Sequence, residues 1–141
     1  MKKMIFTMLL TFAFAGSALA QLVEIDGKIT FDSQDGAWAG ALNNNGNIQI
    51  ASTKMLEAFG VVFISPNTNG QSLQQAAEAA LADRNGRNLR PVGSGYLFDA
   101  TQPNGRGAIW YVALDKDSII QIRMMNYSDE LLTVVQSVQV K

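Results

Sequence analysis

The sequence predicts an α+β fold: an antiparallel β-sheet with helices packed on it. Three observations point there. Most of the chain beyond residue 27 breaks into short runs of alternating or β-branched character, separated by Gly, Asn, Asp and Pro. The segment SLQQAAEAALADR (72–84) instead repeats its apolar residues at helical spacing. YSDELLTVVQSVQV, from residue 127, does the same near the C-terminus.

The first element stands outside that pattern. Lys2 and Lys3 precede an almost unbroken apolar run from Met4 to Gly16, and Ala18-Leu19-Ala20 supplies the small-x-small site of a signal peptidase. The run is shorter than the roughly 20 residues a membrane-spanning helix needs. Residues 1–20 are therefore expected to be a cleaved signal peptide. Residues 21–141 then form one exported domain, periplasmic or secreted, with no transmembrane segment. The whole sequence carries 11 basic and 12 acidic side chains; losing Lys2 and Lys3 with the leader brings the net charge near −3. Such a balance gives no general attraction to nucleic acid or to an anionic membrane. With no cysteine the domain must hold together by packing alone.

In KITFD (28–32), Ile29 and Phe31 point one way and the polar residues the other. Asp35-Gly36 is a turn, and Trp38 and Leu42 mark a second strand. Asn45-Gly46 suits the positive φ angles of a tight hairpin leading into NIQIAS (47–52). Phe31 to Ser52 thus reads as a small antiparallel meander. Lys54 to Gly60 fits one helical turn or an irregular crossing equally. VVFIS (61–65) has the continuous apolar character of a strand covered on both faces, and Pro66 ends it.

In the first helix, Ser72 and Gln75 form a capping box. Leu73, Ala76, Ala77, Ala80 and Leu81 make one stripe whose small residues allow close approach to a sheet. Asn85-Gly86 supplies the left-handed stop, and the stretch up to Gly95 reads as a connector. GYLFDA (95–100), AIWYVAL (108–114) and SIIQIRMM (118–125) are strands, the last two a hairpin across Asp115-Lys116-Asp117. Trp110, Val112 and Leu114, with Ile120, Ile122 and Met124, are expected to meet the helices. Tyr111, Gln121 and Arg123 are assigned to the opposite face. Ser128 caps the final helix, whose first turn carries Asp129 and Glu130; it runs to about Gln136, before a short extended tail over 138–140.

Several stretches resemble the Mog1/PsbP-like fold, particularly small exported bacterial proteins of the DcrB and DUF1795 type. They are ITFDSQDGAW, VVFIS, GQSLQQAAEAALADR, GSGYLF and DELLTVVQSVQV. The resemblance covers most of residues 28–141 as a pattern. It implies an α/β/α sandwich around an antiparallel sheet. It implies no set of catalytic residues, since members of this group serve as assembly factors, binding modules, extrinsic subunits and immunity partners of secreted toxins.

Missing residue types exclude whole mechanisms. With neither histidine nor cysteine, there is no Ser-His-Asp triad, thiol nucleophile, or imidazole or thiolate metal site. Asp115 and Asp117, or Asp32 and Asp35, lack the ligand spacing of a calcium loop and read as turn residues. Gly93 and Gly95 match no nucleotide-phosphate fingerprint. No catalytic, cofactor or metal site is expected.

The candidates left are surface residues. Arg87 and Arg90 lie in the connector, Arg106 in a glycine-rich loop, and Tyr111 and Arg123 share the assigned strand face; together they form a candidate interaction surface, since arginine and tyrosine are enriched at interfaces. The function this favours is a non-enzymatic periplasmic protein-binding or assembly module. Its partner is another protein of the cell envelope, and an immunity-type inhibitor of a secreted toxin is one sub-case. The alternative is a carrier or sensor of a small anionic ligand, using Arg87, Arg90 and Arg106 with Gly93 and Gly95. A carboxylate-based hydrolase ranks below both. The sequence leaves the oligomeric state open.

Overall fold

The computed structural model describes residues 21–55 and 57–141, so the expected leader lies outside the described residues. The chain runs β1 (Leu22–Ile25), β2 (Ile29–Asp32), β3 (Trp38–Leu42), β4 (Ile48–Ser52), β5 (Phe59–Pro66) and α1 (Leu73–Asp83). It continues through β6 (Arg87–Val92), β7 (Gly95–Thr101), β8 (Gly107–Asp115), β9 (Ser118–Met125), α2 (Asp129–Gln136) and β10 (Gln139–Val140). Two sheets form. One has the order β3-β4-β5-β9-β8-β7-β6, the other β1-β2-β10, and every strand pair in both is antiparallel. The expected α+β fold, a largely antiparallel sheet with two helices packed on it, is the one observed.

The layers follow from which side chains each strand face buries. Helix α1 lies over β6, β7 and β8, seating Ala76, Ala77 and Ala80 against Phe98, Ala100, Trp110 and Val112. On the other face, α2 and the small sheet cover the β3–β9 half. There Ile29, Phe31, Leu131, Val134 and Val135 meet Ile50, Val62, Ile122 and Met124. The third layer of the sandwich is thus part helix and part sheet.

Local signals explain the elements. Ser72 and Gln75 make the reciprocal capping box, and Ser128 accepts the Leu131 amide. Asn85 takes φ 50° after α1, while its own amide reaches the Ala82 carbonyl and that of Gly86 reaches Leu81, a Schellman closure. In the 43–47 loop only Gly46 takes the positive φ expected of Asn45-Gly46. Asn43 instead accepts the amides of Asn45 and Asn47 through its side chain.

Three expectations change, and one stretch left open resolves. The meander over 31–52 does not form, because β2 leaves the main sheet to pair with β1 and β10. Asp26 and Gly27, at φ 55° and 66°, close the β1–β2 hairpin with two left-handed residues in succession. The ambiguous stretch before β5 is a turn, with Ser52 Oγ accepting the amides of Lys54 and Met55. The supposed connector forms β6, an edge strand whose register slips between Arg87 and Arg90, where Asn88 sits at φ 59°. Finally, only two residues separate β8 from β9, so Asp115 pairs with Ser118, Trp110 with Arg123 and Tyr111 with Ile122. Directly opposed residues share a face, so Gln121 and Arg123 stand beside Trp110, and Tyr111 points the other way.

Candidate interaction surface

The five residues singled out in the sequence fall into three places. Arg87 and Arg90 gather at Asp99 on the β6–β7 edge. Arg90 bonds Asp99 Oδ1 at 3.2 Å, and Asn88 donates to Oδ2 at 2.9 Å. The Asn88 hydrogen bond, with Arg90 and Arg87 nearby, holds the Asp99 carboxyl below its ordinary range despite some desolvation. Arg106 reaches instead to Glu57, 3.8 Å away across two exposed side chains. These pairs are surface ion pairs and contribute little to stability.

Tyr111 is not on a surface. It is 2 % exposed within the core beneath α2 and the small sheet. Burial pushes its hydroxyl upward from the ordinary tyrosine value, with the Ser94 side chain partly opposing this. Its placement with Arg123 rested on reading all of Asp115-Lys116-Asp117 as the turn. The observed two-residue turn moves the register by one and reverses the face.

Gly93 and Gly95 do not cradle an anion with the arginines. Each makes room for a neighbour. A Cβ on Gly93 would lie 2.4 Å from Gln136 Nε2, and one on Gly95 would lie 2.6 Å from the Tyr111 ring and 2.7 Å from the Val112 carbonyl oxygen.

Arg123 has a companion that sequence reading left aside. Arg84 closes α1, and its guanidinium lies 3.8 Å from the centre of the Trp110 ring and 5.7 Å from that of Phe63. It donates to Gln121 Oε1 at 3.4 Å. The Nε atoms of Arg84 and Arg123 are both buried without a hydrogen-bond partner among the described residues, and neither side chain is in an ion pair there. Burial pulls Arg84 below the ordinary arginine range; the Asp83 charge opposes this and that of Arg123 adds to it. The signal was present in the sequence. Arg84 follows Ala77 and Ala80 at seven and four residues, so it continues the buried stripe of α1 onto the sheet.

This arginine pair borders the part of the sheet that α1 does not cover. Ala39, Ala41, Gln49, Ala51, Phe59 and Phe63 face the same way, partly or fully exposed, with no charged residue among them. Two shallow hollows open there. One of about 310 Å³ is lined by β3, β4 and Asn43 and Asn44, and one of about 260 Å³ is lined by β4 and Phe59 and rimmed by the charged Lys54 and Glu57. An apolar, partly aromatic field edged by arginine has the composition of a protein-docking surface. Among the described residues, no three side chains capable of holding a metal come together, and no helix is long and apolar enough to cross a membrane.

No family model matches the sequence, and no curated protein matches it either. Solved structures do match. A crystal structure from Bacteroides thetaiotaomicron VPI-5482 superposes with a TM-score of 0.54 at 10 % identity, over 80 % of this chain and 45 % of that one. The chain thus spans less than half the length of the Bacteroides protein. The solution structure of cyanobacterial PsbP (CyanoP) from Synechocystis sp. PCC 6803 superposes at 0.50 with 14 % identity, over 92 % of this chain and 98 % of that one. The chain has a PsbP/Mog1-like fold.

Proposed function

We propose that this protein is a non-enzymatic binding or assembly module of the bacterial cell envelope whose partner is another protein. The uncovered half of the seven-stranded sheet carries the reading: an apolar field edged by Arg84 and Arg123, two cations with no ion-pair partner among the described residues. A partner that lays an apolar surface over β3–β5 and directs an acidic side chain at the pair would complete both. The apolar run and cleavage motif at residues 1–20 support export from the cytoplasm. An immunity-type inhibitor of a secreted toxin is the sub-case that an exported binding module of the DcrB type suits.

A small anionic ligand is the second reading, and the same arginine pair favours it. Arg90 and Arg106 support it less, because each is already in an ion pair, with Asp99 and Glu57 respectively. One comparison separates the two. The protein and its Arg123→Glu variant, which supplies Arg84 with a carboxylate from within the fold, are used as bait in envelope extract. Thermal-shift titrations with phosphates and carboxylates accompany them. A protein retained by the parent and lost by the variant supports the docking surface. Equal retention by both sinks it, and a thermal shift abolished by the substitution without any retained protein transfers the site to a small anion.

A further inference from the structure

The cleavage motif ends at Ala20, so on the proposed export reading Gln21 becomes the first residue of the mature chain. Its surroundings are built by the turn that follows β2. Gln21 lies opposite Ser33, one step beyond the Leu22–Asp32 pair, and its carbonyl accepts the Ser33 amide at 2.9 Å. The return bond of such a pair is missing. Gln34, Asp35 and Gly36 follow at φ 53°, 57° and 80°, three left-handed residues that bend the chain back until the Trp38 amide donates to the Ser33 carbonyl at 3.1 Å. The acceptor that would hold the Gln21 nitrogen in the ladder is therefore already engaged.

The side chain is held as well. Ser33 is 3 % exposed, its Oγ accepts the Gly36 amide at 3.2 Å, and its hydroxyl donates to Gln21 Oε1 at 3.2 Å. With a lone pair occupied by Gly36, the hydroxyl proton has Oε1 as its acceptor. Thr53 ties down the same loop by donating to the Gly36 and Ala37 carbonyls. A buried hydroxyl on the oxygen of a primary carboxamide draws electron density from its carbon. It stands where an oxyanion would form if that carbon were attacked. Gln21 itself is exposed, so a leaving group can pass to solvent.

We propose that Gln21 is a self-modifying residue: once leader cleavage frees its α-amino group, that nitrogen attacks its own Cδ and closes a pyroglutamate ring. This rests on the export reading, because in the uncut chain the Gln21 nitrogen is a peptide amide and does not attack. The bond that forms is N–Cδ, in a five-membered lactam. The tetrahedral intermediate carries its negative charge on Oε1, where the Ser33 hydroxyl donates. The Cδ–Nε2 bond then breaks, a proton passes from the attacking nitrogen to Nε2, and ammonia departs. No oxidant, metal or second reactant is required. The lactam oxygen is the former Oε1, so the Ser33 bond survives in the product. The mature chain loses its terminal positive charge and presents no free amine to aminopeptidases at the head of β1, the strand packed over β3.

Protein expressed from the full-length sequence in a bacterial host is recovered from the envelope fraction after a short induction, and its intact mass and N-terminal peptide are followed with time. The expected product begins at Gln21, is lighter by one ammonia and resists stepwise sequencing from its amino end. Purified chain that still carries the ammonia should cyclise several-fold faster folded than in denaturant, and faster as pH rises through the α-amino range of about 7.7–8.0. Ser33→Ala should bring the folded rate down to the denatured one. Hydrogen exchange at the amide of residue 33 should stay slow in that variant, since its bond to the Gln21 carbonyl does not use the hydroxyl. A mature chain that begins at Gln21 and keeps its ammonia overturns the proposal and leaves export standing. A chain that keeps residues 1–20 overturns the export reading and the proposal with it, whereas one cut elsewhere overturns the proposal alone. Equal rates folded and denatured, a Ser33→Ala variant as fast as the parent, or cyclisation in the cell that stops on purification would each overturn it too.

Discussion

Replacing Gly95 by alanine tests whether the glycines after β6 serve packing or a ligand. The added Cβ would lie 2.7 Å from the Val112 carbonyl oxygen and 2.6 and 2.8 Å from two atoms of the Tyr111 ring. The carbonyl belongs to β8, which pairs with β7 along its length, and the ring is buried, so neither can withdraw cheaply. Overpacking of this kind costs about 1–3 kcal/mol, and a backbone obstacle puts Gly95→Ala near the upper end. A domain of about 120 residues loses about 4 °C of Tm per kcal/mol, so a fall of about 12 °C is expected. Gly107, which opens β8, is the control. A Cβ there meets nothing within 4 Å, its φ is not in the left-handed region, and Gly107→Ala should hold or raise Tm by a few degrees, consistent with about 0.4–1 kcal/mol from reduced chain entropy. Calorimetry of the two variants decides. If both shift alike, or if Gly95→Ala leaves Tm intact while abolishing binding of an anion, the packing argument is wrong.

Two further perturbations read single contacts. Ser137 accepts the Asp32 amide at 2.9 Å and donates to the Val134 carbonyl, tying the end of α2 to β2. Ser137→Ala strands a partly buried donor at about 1–2 kcal/mol, seen as a Tm loss of about 4–8 °C; no loss would mean that water replaces the hydroxyl. The Asp99 carboxyl is held low chiefly by Asn88, so its folded pKa lies below its unfolded value of about 3.9. Its contribution is therefore present above that pH and disappears as pH falls through the folded value. Asn88→Ala should therefore lower Tm at neutral pH, with the deficit against the parent shrinking as pH falls below about 4; a deficit that stays the same at every pH would refute the assignment.

Much of the fold was legible because it is written locally. A capping box, an alanine stripe and an Asn-Gly stop define α1 from about fifteen consecutive residues. The β8–β9 hairpin and the cap of α2 are equally local. The Asp26-Gly27 turn is equally local, and it pairs β2 with β1 and so takes β2 out of the larger sheet. Strand β6 gave no alternation to read, since its inner face is only half-buried and Pro91 suits an edge alone.

The surface was less legible. Arginine and tyrosine can be counted in a sequence, but which of them meet depends on strand register, and register depends here on whether a turn holds two residues or three. One residue of difference moved Tyr111 into the core and set Arg123 beside Trp110. Side chains alternate along a strand, so any slip exchanges every inward residue for an outward one. By itself the sequence determined the α+β class, the helices and their caps, and the absence of the histidine and cysteine chemistries. Only tertiary structure decided that α1 leaves half a sheet uncovered and that Arg84 and Arg123 border that half. Those facts arise from contacts between residues far apart in the chain, whose geometry no local pattern encodes.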